Sequence, residues 1–172
     1  MKDQKPSFEQ AINASIIWCK GWEKEEISDE VLAERVSELL TSKDGTRGFF
    51  VASLPSNSPL MDRLPDPLIL ELRAGGENVV DITVKNLAMS SAMIIHHQRN
   101  GDLDQKYKSQ RIQERCTELL RVLDTHLVKN KLESLLNSID SKGSYTEFLR
   151  RWNYDYEQKL EIKRSIEKVA EQ

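Results

Sequence analysis

Two adjacent histidines, His96 and His97, close the run "VKNLAMSSAMIIHHQRNGD" from Val84 to Asp102. Imidazoles are common metal ligands and general acid–base groups, so the pair could be the centre of a small enzyme. The spacing argues otherwise. Adjacent side chains on a helix point about 100° apart, so the two rings cannot meet on one ion from a continuous helix. His126 is the only other histidine of the chain. His96, His97 and Arg99 also fall where a last helical turn gathers cations against the negative end of the dipole. The expectation is a structural role, with no catalytic residue, no metal and no cofactor.

Lys108, Arg111 and Arg115 recur on one side of the next helix and could meet phosphates or an acidic partner. A nucleic-acid-associated regulatory protein is the alternative that this patch supports. Asp104 and Glu118 flank the same side, however, and the formal net charge is -3. A nucleic-acid binder needs a basic footprint to displace counterions, so the balance counts against that partner.

The third group is "YTEFLRRWNYDY", which holds five of the eleven aromatic residues of the chain. Tyr145, Leu149, Trp152 and Tyr156 recur at helical steps and would dock on the core. Phe148 lies beside that stripe, and Arg151 and Tyr154 point elsewhere. Trp, Tyr and Arg are enriched at protein interfaces. Phe148, Arg151, Trp152 and Tyr154 are therefore the residues expected to meet another protein or a second copy, as in a homodimer.

These groups need helices to position them. Phe8, Ile12, Ser15, Ile16, Cys19 and Trp22 predict a first amphipathic helix, and Ser28 with Asp29 and Glu30 opens a second. "SKDGTRG" should break the chain at Gly45 and Gly48. "FFVAS", Phe49 to Ser53, suits a short strand or a helical turn; with no partner strand in view, the helix is preferred. Four prolines make residues 54–68 irregular, while Leu60, Met61 and Leu64 should hold that segment on the core. A short helix from Asp66 precedes Gly75 and Gly76. Asn78 with Asp81 then predicts the start of the most apolar helix, which runs to Arg99 and should be central. Gly101 and Asp102 end it and cap the next. A phase slip at Asp124 to Leu127 predicts a break, and Ser144 with Glu147 should open a last helix over 144–170.

The chain is thus expected to be all-α: one domain over 1–172, an irregular bundle of about six or seven helices with a Pro-rich connecting segment. Cys19 and Cys116 sit among apolar residues with no disulfide or zinc spacing, which suits a reducing compartment. No nucleotide loop, nucleophile elbow, zincin motif or calcium loop occurs. The apolar segment Ala88 to Ile95 is too short to span a bilayer, and the N-terminus lacks a signal-type apolar run. No membrane insertion and a cytoplasmic location are expected. "GTRGFFVASLP" with "VKNLAMSSAMIIHHQRNGD" and the helix after it, Gly45 to Leu123, resembles a group of small uncharacterised cyanobacterial proteins with "GFFV" and "NLAMS.AM" segments. That resemblance implies a bacterial, cytosolic setting and leaves the flanking helices outside it. The function expected is a non-catalytic helical adaptor or assembly protein acting through protein–protein contact.

Overall fold

The computed structural model describes residues 4–171, and these form nine α-helices and one short 3₁₀ turn, without a strand among them. The all-α expectation holds. The number of helices is higher than six or seven because "FFVAS" belongs to a full helix and a turn at Asn153 divides the last helix in two. The chain divides into two compact units, Met1–Ile82 and Thr83–Gln172, the boundary falling inside a helix.

The first unit holds α1 (Phe8–Glu23), α2 (Asp29–Leu39), α3 (Lys43–Ser53), the 3₁₀ turn Pro59–Asp62, α4 (Asp66–Ala74) and the start of α5 (Gly76–Arg99). Ser7 and Gln10 form a reciprocal capping box at α1, and Ser28 accepts from the Val31 N–H at α2. "SKDGTRG" does not break the chain. Ser42 caps α3 through the Gly45 N–H at 3.0 Å, and both glycines lie inside that helix. The reason is the neighbour. A Cβ on Gly48 would strike the Ala11 side chain and sit 2.9 Å from the Phe8 carbonyl oxygen. Glycine there lets α3 lie directly on α1, and the Arg47 guanidinium stacks 4.5 Å over the Phe8 ring at the same contact. "FFVAS" is helical, as preferred. The Pro-rich segment is irregular yet held, with Leu60 and Met61 buried.

α5 begins at Gly76 and not at Asn78. Gly76 has φ +63, a left-handed conformation that separates α4 from α5 without a side-chain penalty. Beyond Ile82, α5 is buried on several sides through Thr83, Val84, Leu87, Ala88, Ser91 and Ala92. A helix so covered carries small residues where its neighbours come near. The Gln158 side chain donates to the Ala92 carbonyl at 3.2 Å, and Gln113 donates to the Ser91 hydroxyl at 2.9 Å.

The second unit continues with α6 (Leu103–Val122), α7 (Thr125–Asp140), α8 (Thr146–Trp152) and α9 (Tyr156–Ala170). Gly101 supplies the left-handed residue between α5 and α6, the Asp102 N–H reaching back to the His97 carbonyl at 3.0 Å. The break at Asp124 is present: Leu123 is extended, and Asp124 accepts from the Leu127 N–H at 3.0 Å. The single last helix over 144–170 is not. Asn153 adopts φ 50, ψ 47, and Asp155 with Gln158 forms a capping box that starts α9 afresh. Ser144 and Glu147 do not cap α8, whose first residue follows Tyr145 with no side-chain cap.

Candidate functional site

His96 is exposed and its Nε2 pairs with the Asn100 amide at 3.2 Å; its ring meets His97 edge-on at 5.4 Å. His126 lies in the first turn of α7 beside Asn130, 3.3 Å away. Among the described residues, no three of His, Cys, Asp and Glu are grouped so as to hold a metal ion. The last turn of α5 serves an architectural contact through Arg99. Its guanidinium donates to both oxygens of Asp155, at 2.5 and 3.1 Å, and to Glu157 at 3.0 Å. Arg99 holds the Asp155 carboxyl down to about 2, and the Arg99 guanidinium is in turn held above its ordinary range.

The basic residues of α6 do not form a patch. Lys108 is exposed and paired with Asp104 at 3.4 Å, Arg111 is half-buried, and Arg115 is only 2% exposed. Helical spacing put the three on one side. Packing then covered one end of that side, which removes Arg115 from any surface that phosphates could reach.

The aromatic group is likewise redistributed by the turn at Asn153. Tyr145 and Leu149 are buried as expected, but Trp152 is 53% and Tyr156 79% exposed. Tyr154, expected to point away, is buried, and burial pushes its phenol up to about 12. Phe148 is half-buried, 6.4 Å from the Tyr145 ring and 6.0 Å from the Lys85 ammonium. Arg151 is exposed. Of the expected partner residues, then, Arg151 and Trp152 lie on the surface and Tyr154 belongs to the interior. Cys19 and Cys116 are both buried thiols; burial drives the Cys116 thiol far above its ordinary range.

A feature that spacing alone missed lies on the other side of α7. The end of α6, residues 125–136 of α7 and the last turns of α9 form a groove of about 360 Å³. Val128, Leu132 and Leu136 form one wall, Ile166 and Val169 the other, and Leu120 lies at the base, with Lys129 and Glu133 at the rim. Arg121 fixes the second wall. Its guanidinium donates to the Lys168 and Glu171 carbonyls at 2.6 Å each and to Glu118 at 2.8 Å, capping the C-terminus of α9. The sequence signal was the phase slip at Asp124, which turns an apolar face of α7 away from the line followed by α6. A second cleft, also about 360 Å³, lies between α7 and the start of α9, where Lys163 pairs with Asp140. Its rim of Lys159, Lys163 and Asp140 is charged, and it lacks the apolar walls of the first.

The model of the family described as uncharacterised conserved protein UCP020893 matches residues 7–169. The chain belongs to this family. Membership in UCP020893 extends well beyond the segment Gly45 to Leu123, so α1, α2 and α7 to α9 are family structure and not additions peculiar to this chain. No curated protein and no solved structure matches the chain. Among the described residues, no helix is long and apolar enough to cross a membrane.

Proposed function

We propose that this member of UCP020893 is a non-catalytic helical adaptor or assembly protein that works by contact with another protein. The observation behind this reading is the groove on α6, α7 and α9, walled by Val128, Leu132, Leu136, Ile166 and Val169. An apolar groove between two helices is the shape that receives the apolar face of a third. Trp152 and Tyr156, large and exposed on the same unit, add surface of the type enriched at interfaces. A bacterial cytoplasm is the setting that suits two unpaired, buried thiols.

Nothing in the placement of His96, His97 or His126 favours an enzyme, and the burial of Arg115 removes support from the nucleic-acid alternative. The test is Leu136→Arg, which puts a long cation into the groove at a half-buried position. The variant should keep its helical circular dichroism and lose the proteins that the wild type retains when purified gently from its native cell. Retention of the same proteins, at the same mass, would remove the groove from consideration.

A further inference from the structure

We infer that the groove is filled by a second copy of this chain, whose α7 lies antiparallel to the first across a two-fold axis. This rests on reading the groove as an interaction surface and names its occupant. Two charges on α7 point to this occupant. Lys129 and Glu133 stand at the groove rim, both exposed and one turn apart on α7.

Neither side chain has a hydrogen bond or ion pair among the described residues. That is unlike the comparable pair on α6, where Asp104 and Lys108, also four residues apart, close to 3.4 Å. The order differs: a lysine that precedes its acid by one turn is the less favourable arrangement within a helix. Lys129 and Glu133 therefore remain available to a partner, as one cation and one anion in a row along the wall.

A row of that kind is complementary to itself in one direction only. Two copies of α7 side by side and parallel would set Lys129 against Lys129 and Glu133 against Glu133. Turned antiparallel about an axis midway between the two, each Lys129 faces Glu133 of the second copy, which gives two reciprocal pairs. A two-fold interface requires such self-complementarity, because each patch must accept itself. The same axis passes beside Leu132, so the apolar wall is shared at the centre and the charges flank it. That is the pattern by which flanking charges set partner and direction in packed helices. The ends agree as well. The Thr125 end of α7 is the positive end of its dipole, so it favours the C-terminal end of the second α7.

α7 is 16 residues long, about 24 Å, so the paired surface falls in the smaller class of interfaces. The dimer should dissociate on dilution. The experiment is sedimentation equilibrium over a range of concentrations on wild type, Lys129→Glu, Glu133→Lys and the double variant. The wild type should rise from the monomer mass of 19.8 kDa toward twice that value. Each single reversal sets like charges opposite each other twice and should weaken the dimer at least tenfold. The double reversal restores two opposite pairs and should return the wild-type behaviour. Both residues are exposed, so all four proteins should share one melting curve at concentrations low enough for each to be monomeric. A wild type that stays monomeric overturns the proposal, as does a dimer indifferent to the single reversals or one that the double reversal fails to restore. A monomeric wild type whose other partners are still lost in Leu136→Arg would end the self-pairing and leave the groove as a docking surface. If Leu136→Arg changes neither mass nor partners, both readings end.

Discussion

Arg99, at the end of α5, grips with both of its terminal nitrogens the carboxylate of Asp155, the residue that caps α9. The two residues are 56 positions apart in the chain. One carboxylate thus does two jobs: it accepts the Gln158 N–H at 3.0 Å, starting α9, and it anchors that start to the last turn of α5. The cationic turn expected at His96, His97 and Arg99 therefore has its structural purpose in its arginine.

The Arg99 contact makes acid stability depend on Asp155. Its carboxyl stands at about 2 when folded against an ordinary value of 3.8. A depressed folded value means a contribution fully present above about pH 4 and lost as the pH falls toward 2. In urea titrations followed by circular dichroism, the wild type should exceed Arg99→Gln in stability at pH 6, and the gap should close between pH 4 and 2. A gap of constant size would show that Arg99 acts by packing alone.

Tyr154 and Trp152 exchange the roles that helical spacing assigns them. Tyr154 is 9% exposed, so Tyr154→Ala should cost on the order of 3–5 kcal/mol, the range for truncating a large buried ring. Trp152→Ala, at a position 53% exposed, should stay within about 0.5 kcal/mol. Thermal melts of the two variants decide it. Equal losses would place Trp152 in the core after all.

Gly48 supplies the approach of α3 to α1. Alanine is the better helix former by about 1 kcal/mol, so on local grounds Gly48→Ala should stabilise α3. The added methyl would meet Ala11 and the Phe8 carbonyl, which is backbone and cannot swing aside. The net effect should be a loss of about 1–3 kcal/mol, seen as a lower melting temperature. A higher one would mean the helices part at little cost.

Local chemistry determined a large share of this protein. Apolar residues at helical spacing, with Ser28, Asp102 and Gly101 at the boundaries, suffice for an all-α chain, because period and capping act within a few residues. The turn at Asn153 was also written locally, in Asn153 and in Asp155 with Gln158, but aromatic spacing from Tyr145 to Tyr156 runs across it and hides it. Other features depend on neighbours remote in sequence. Gly48 reads as a break until α1 is seen lying on α3; the space a glycine leaves is useful only when another backbone fills it. Lys108, Arg111 and Arg115 share a helix side, yet spacing does not say which end of that side will be covered, and coverage separated Arg115 from the others. The groove required the end of α6, α7 and the last turns of α9 to converge, with Arg121 tying the end of α9 in place. No single segment contains that surface, so only the tertiary structure could decide that it exists.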